Sequence, residues 1–206
     1  MHVEIWSDIA CPWCAVGKRR FEKALEQFEH AGDVTVTFRS FELDPEAPAA
    51  REGSTAENLA KKYGTSLEQA QAMNARMTET AAEDGLTFRF DIAKGGNTFD
   101  AHRLLHLAAA HGRQHELKER LMRGYLGEGE LMSDHAALTR LALSIVAAVS
   151  VAASPVVPHG TSPFDPSSIC HSTSSRNAAS LTRPAANGVT SAGIDPKNMK
   201  LFLRLN

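Results

Sequence analysis

The chain has 206 residues, 43% of them hydrophobic, which is enough for one or two domains with a real core rather than a stapled miniprotein. Lysine and arginine number 22 against 24 aspartates and glutamates, a formal net charge of -2. The two signs are interspersed, so the electrostatic footprint of a nucleic-acid or anionic-membrane binder is missing. Three cysteines, two of them at CxxC spacing, are too few for a disulfide framework.

Met1 is followed by His2-Val3-Glu4-Ile5, with neither a basic n-region nor an apolar h-region. No secretory signal is read there, and the chain is expected to be cytoplasmic, or already processed. The alternating stretch Val3 to Trp6 predicts a strand. A helix is expected from Pro12 to His30, with Val16, Phe21, Leu25 and Phe28 at helical spacing and Gly32 as its stop. A second strand follows at Val34 to Phe41, with Val34, Val36, Phe38 and Ser40 on one side. This β-α-β unit predicts the opening of a parallel sheet and an N-terminal unit over residues 1–48, closed by the connector Leu43 to Pro48.

Residues 49–143 read as a helical subdomain of four or five helices with one short extended piece at Leu86 to Phe90. Ser54 with Glu57, and Ser66 with Gln69, have capping-box spacing, and Gly64 and Gly85 suit helix C-termini. Asn97 is placed to cap a helix from Thr98 to His111 with Leu104, Leu105 and Ala108 as its buried stripe. The next helix, Gln114 to Tyr125, buries Leu117, Leu121 and Tyr125, and Ser133 or Asp134 caps one carrying Leu138, Leu141 and Ile145. The apolar run Leu141 to Ala153 is interrupted by Ser144 and Ser150 and is shorter than the ~20 residues a bilayer span needs.

Beyond Leu143 the composition changes. Between Arg140 and Lys197 the only charged side chains are Asp165, Arg176, Arg183 and Asp195, while Ser, Ala and Pro dominate. Pro155, Pro158, Pro163 and Pro166 forbid a regular helix, so residues 144–206 are expected to be a divergent tail that buries too little apolar surface to order itself. Such a composition is what a shifted reading frame in a GC-rich gene tends to encode. The run Met199 to Leu205 has the pattern of a short amphipathic piece with no evident docking partner.

The chemistry centres on Cys11-Pro12-Trp13-Cys14, at the junction of the first strand and the first helix. A helix N-terminus offers unsatisfied N–H groups and the positive end of the helix dipole, both of which favour a thiolate on Cys11. Pro12 fits the first helical position, where no N–H donor is needed. Cys11 is thus expected to attack, and Cys14, one turn further in, to resolve the mixed disulfide, with the uncharged Pro12 and Trp13 modulating the pair. Half a zinc site is the rival reading, but zinc needs two more ligands and only the adjacent Cys170-His171 offer themselves. His102 and His106 stand at i, i+4 without the Glu of a zinc protease, so helix packing or surface exposure explains them better and no metal is expected.

Ser7 to Cys14 followed by Gly17-Lys18-Arg19-Arg20-Phe21, then Phe41-Glu42-Leu43-Asp44-Pro45, then Asn97-Thr98-Phe99-Asp100-Ala101-His102-Arg103, resembles the DsbA-like thioredoxin superfamily in its FrnE-type cytoplasmic branch. The resemblance covers residues 1–143. It implies an α/β, thioredoxin-like fold with an α-helical insertion, and dithiol/disulfide exchange on a protein or small-molecule thiol, with glutathione as a candidate reductant and no bound cofactor. It also implies that Asn97, His102 and Arg103 line the groove above the cysteines. The family pattern then calls for a cis-proline loop, two antiparallel strands and a closing helix. Neither Val157-Pro158 nor Gly188-Val189-Thr190 continues in that pattern, so those elements are expected to be missing or replaced by the tail. Two alternatives stand beside the exchange reading: a glutathione-dependent isomerase of the same superfamily, whose members carry Ser where this chain has Cys11, and a non-catalytic remnant. Nothing in the sequence fixes the oligomeric state.

Overall fold

A computed structural model describes residues 1–152 and 202–205 of the chain. Strand β1, His2–Ser7, buries Val3 and Ile5 and leads through Asp8, Ile9 and Ala10 into helix α1, Pro12–Glu26. Cys11 is the N-cap of α1 with extended backbone, and Pro12 stands at its start, where its missing N–H costs nothing. After one turn of 3-10 helix at Ala31–Asp33, strand β2, Thr35–Ser40, runs parallel to β1 from His2 opposite Thr35 to Ser7 opposite Ser40. Alternation sets Phe38 against Val3 and Ile5, with Phe21, Val34 and Val36 packed around them, while Thr35 and Arg39 are exposed.

Helix α1 is shorter than its sequence period suggests. The N–H groups of Gln27 and Phe28 turn back to the carbonyls of Ala24 and Leu25, tightening the chain three residues back instead of four. Phe28 consequently falls outside the helix and is 45% exposed.

A third strand, β3, Phe202–Leu205, pairs antiparallel with β1, Val3 opposite Leu205 and Trp6 opposite Phe202, so β1 is central in the order β2-β1-β3. The closing run of the chain therefore does have a docking partner, the free edge of β1. The candidate proline loops at Val157-Pro158 and Gly188 to Thr190, and the pair Cys170-His171, lie outside the described residues.

Five helices follow β2: α2 (Thr55–Tyr63), α3 (Leu67–Glu83), α4 (Phe99–Ala110), α5 (Gln114–Glu128) and α6 (His135–Ala152). Both capping boxes form: the Ser54 and Ser66 hydroxyls accept from the N–H groups of Glu57 and Gln69, whose side chains return to the Ser54 and Ser66 N–H groups. Gly64, at φ 63°, ends α2 in the left-handed conformation that a side chain would oppose. At α6 the Asp134 carboxylate accepts from Ala136 N–H, doing the N-terminal service expected of Ser133 or Asp134. Helix α5 packs against both α4 and α6, burying Leu117, Leu121, Tyr125, Leu105, Ala108, Leu138 and Leu141 in the same cluster that holds Cys11 and Cys14. No helix among the described residues is long and apolar enough to cross a membrane.

Charge ties α1 onto this helical layer. Lys18 is 3% exposed, and its Nζ reaches Glu22 Oε1 at 2.7 Å and, across to α5, Glu119 Oε2 at 2.5 Å. Arg19 also pairs with Glu119, at 2.7 Å, while Arg20 and Lys23 converge on Asp84 at the end of α3, at 2.6 and 3.3 Å. Lys18 is the desolvated member, and a buried pair repays its desolvation only when several partners satisfy it, as the two carboxylates do here.

Glu22 also lies 2.7 Å from His115 Nε2 of α5. Burial pushes its carboxyl up, but the hydrogen bonds and charges of His115 and Lys18 outweigh that and hold it at about 2, below the ordinary 4.5. A carboxyl depressed on folding contributes stability above its unfolded value and loses it as pH falls through the folded one. Urea denaturation should therefore show stability falling between about pH 4.5 and about pH 2. Glu22→Gln should flatten that fall, and identical slopes for the two proteins would remove Glu22 from the account.

Candidate active site

The two cysteines sit at the point where β1 hands the chain to α1. Both are reduced and buried, Cys11 at 6% and Cys14 at 2% exposure. As N-cap, Cys11 turns its sulfur back over the first turn, and Cys14 N–H donates to Cys11 Sγ at 3.3 Å. The cap position, normally served by a Ser, Thr, Asp or Asn oxygen, is here served by sulfur. Pro12 follows it half-buried, and Trp13, 38% exposed, lies beside the pair on the surface.

Each thiol bears on the ionisation of the other, so the two titrate as a pair. The Cys14 side chain and burial push the Cys11 thiol well up, opposed by the Cys14 backbone N–H. Cys14 is held down by the Cys11 side chain, then, against its own burial, by a hydrogen bond from the Asp8 backbone and the charge of Lys118. The lowered Cys11 expected from the helix terminus is thus overridden in the resting dithiol. The terminus acts through one N–H, and the neighbouring thiol and the desolvated setting weigh more. In the resting dithiol the surroundings favour ionisation of Cys14 over that of Cys11.

Behind the cysteines lies a buried polar knot centred on Asp8, which is 3% exposed. One carboxylate oxygen accepts from Leu43 N–H at 2.8 Å and the other from Ala10 N–H at 3.4 Å. His102 Nε2 of α4 lies 3.3 Å from Oδ1; a carboxylate only accepts, so Nε2 carries the hydrogen. Burial pushes Asp8 up, yet His102, the Leu43 amide and Thr98 together hold it below the ordinary carboxylate range, so it is an anion. Glu42 approaches the same region, and burial raises its pKa.

The residues expected in the groove go to three different places. His102 is 4% exposed and works inward, on Asp8. Asn97 stitches the chain beside it: Oδ1 accepts from Phe99 N–H at 2.8 Å, the first amide of α4, and its backbone N–H donates to Pro48 O at 2.9 Å. The cap residue proper is Thr98, so Asn97 serves the helix from one position further out. Arg103 is 70% exposed and pairs with Asp100 at 2.8 Å, on the outside of α4. Gly96 permits the stitch, because a Cβ there would stand 2.3 Å from Ala49 O.

Lys118 was not anticipated. It is 1% exposed, and its Nζ stands 5.2 Å from the Phe38 ring centroid of β2. The signal was present: Lys118, Leu121, Met122 and Tyr125 fall on one helical face, a lysine inside an apolar stripe. Among the described residues no group of three or more His, Cys, Asp or Glu side chains could hold a metal ion.

A family model described as a DSBA-like thioredoxin domain matches residues 2–153. The uncharacterized protein YwbO of Bacillus subtilis is 27% identical over 143 residues, and the chain spans 64% of that relative's length. The crystal structure of a probable DsbA oxidoreductase from Streptomyces coelicolor superposes with a TM-score of 0.66 and 45% identity, covering 73% of this chain and 68% of that one. A 2-hydroxychromene-2-carboxylate isomerase aligns over 73% of this chain and 80% of its own at a TM-score of 0.43 and 12% identity, too distant to carry a functional argument.

Leaving a buried hydrogen-bond donor without its acceptor typically costs about 1–3 kcal/mol. Asp8→Ala strands the Leu43 N–H and the His102 ring, and urea denaturation should register a loss of at least that size. A loss no larger than that of an average surface substitution would show that Asp8 does not tie these segments together. Gly96→Ala forces a backbone shift and should cost about 1–3 kcal/mol by the same measurement.

Proposed function

Since the chain belongs to the DSBA-like thioredoxin domain family, we propose that it is a thiol-disulfide oxidoreductase in which Cys11 attacks and Cys14 resolves. The observation that carries this reading is the reduced pair itself: two free cysteines at a helix N-terminus, with Cys14 N–H donating to Cys11 Sγ. The resemblance to a probable DsbA oxidoreductase supports an enzyme of the oxidoreductase or isomerase kind, and two cysteines at these positions favour dithiol exchange within that range.

The exchange runs in two displacements. Cys11, giving its proton to the neighbouring Cys14 thiolate, attacks one sulfur of a substrate disulfide, forming a mixed disulfide and expelling the other sulfur as a thiolate, which takes a proton from water. Cys14, deprotonated, then attacks Cys11 Sγ; the Cys11–substrate bond breaks, the second substrate thiolate leaves, and the enzyme holds a Cys11–Cys14 disulfide. The reverse sequence donates that disulfide to a dithiol. Cys11 suits the first role because it keeps the larger exposure of the two, 6% against 2%, with Trp13 beside it to contact a substrate. Cys14 suits the second because it is deeper and its thiolate is favoured by its surroundings. The substrate is a thiol- or disulfide-bearing protein or small molecule, and in a reducing cytoplasm glutathione is the electron donor of matching chemistry.

Insulin reduction by dithiothreitol tests the activity. The protein should shorten the lag before turbidity, and Cys11→Ser should abolish the effect. A wild-type protein that leaves the uncatalysed lag unchanged would reduce the chain to a non-catalytic remnant of its family.

A further inference from the structure

A lysine with 1% exposure is among the costliest groups a core can hold, and it survives only when something near it needs a positive charge. The other buried lysine of this region, Lys18, is neutralised by Glu22 and Glu119. Lys118 is not: among the described residues no carboxylate forms an ion pair with it, and its ammonium stands 5.2 Å from the Phe38 ring centroid. Leu117 and Leu121, which flank it on α5, pack in the same buried cluster as Cys11 and Cys14. The charges that bear on it are those of Cys14 and Lys18 from α1, Cys11 from its cap and Asp8 from the β1–α1 junction, and His115 lies 5.5 Å from the same Phe38 ring. Arg39, next to Phe38, is occupied by Glu4 at 2.5 Å. Asp8 is already an anion, so a thiolate on Cys14 would be a second buried negative charge in the same core.

We infer that Lys118 is a positioning residue for disulfide exchange: its buried ammonium supplies the charge that stabilises the Cys14 thiolate against Asp8 while that sulfur resolves the mixed disulfide. The inference rests on the exchange reading of the cysteine pair. Lys118 transfers no proton in this role. The Cys14 proton goes to water, the Cys14 sulfur forms its bond to Cys11 Sγ, and the substrate thiolate leaves with the bonding electrons of the broken disulfide. Burial lowers Lys118 to about 8, with the Cys14 and Asp8 charges opposing that fall, so the ammonium persists at neutral pH. A more alkaline solution discharges it.

The experiment titrates Cys14 by its thiolate absorbance near 240 nm in a Cys11→Ala protein, with Lys118 intact, as Lys118→Met and as Lys118→Arg. Methionine keeps the volume and removes the charge, a replacement that buried ion sites commonly tolerate. Loss of the charge should raise the Cys14 pKa by about one unit, and arginine should restore most of it. In the two-cysteine protein equilibrated with glutathione at a pH where Cys14 is ionised, Lys118→Met should favour the disulfide by up to about tenfold, roughly 30 mV toward a more reducing couple.

A purely structural lysine would change thermal stability and leave both readouts in place. An unchanged Cys14 titration in folded Lys118→Met overturns the inference. If that variant does not fold, side-chain ¹⁵N NMR of wild-type Lys118 decides: a higher pKa in the dithiol than in the disulfide supports it by reciprocal linkage, and equal values overturn it. A wild-type pair that never exchanges with glutathione would defeat the functional reading alone, because the Cys11→Ala titration still reports on Lys118.

Discussion

The structure around the cysteines depends on one buried carboxylate. Asp8 joins three segments far apart in sequence: its own turn through Ala10 N–H, the connector leaving β2 through Leu43 N–H, and α4 through His102. A carboxylate with 3% exposure is tolerable only when its lone pairs are used, and these are. Its position directly before Ile9-Ala10-Cys11 means that whatever holds Asp8 also sets where α1 begins, and therefore where both sulfurs lie. The helical layer follows from the same constraint, because α4 must present His102 inward to complete the knot.

A buried anion beside a thiol pair has an electrostatic consequence. Asp8 opposes a thiolate on either sulfur, so the site has to supply counter-charge or donors if the pair is to react as an anion. The helix terminus offers one N–H to Cys11, the Asp8 backbone a hydrogen bond to Cys14, and α5 the charge of Lys118. The reactive centre is in this sense a shared product of the β-α-β unit, which carries the sulfurs, and the helical layer, which carries the charges that decide their protonation. The ion pairs from Lys18, Arg19 and Arg20 to Glu119 and Asp84 keep the two layers in contact where this matters.

Much of this was legible in the sequence because it is local. The cap role of Cys11, the fit of Pro12, both Ser capping boxes and the alternation of Val36 and Phe38 depend on residues within a few positions of one another, and the structure realises each. The three separated motifs likewise carried the family. What escaped is long-range. His102 reads equally well as a groove residue or a core one until Asp8, 94 positions earlier, is seen beneath it. The end of α1 at Glu26 escaped because Phe28 keeps the apolar period beyond the last helical turn. The pairing of Phe202–Leu205 with β1 reflects an unfilled strand edge, which only the assembled sheet reveals. Lys118 was visible as a lysine in an apolar stripe, but its meaning waits on Cys14 and Asp8 being its neighbours.

The central claim is that Cys11 is the sulfur that meets substrate and Cys14 the one that displaces it. Trapping tests this most directly. Cys14→Ser, incubated with a disulfide substrate such as oxidised glutathione, quenched in acid and mapped by mass spectrometry, should hold a stable mixed disulfide on Cys11, while the wild-type protein under the same conditions passes on to the Cys11–Cys14 disulfide. An adduct confined to Cys170, or no adduct on Cys11 in the Cys14→Ser protein, would contradict the assignment.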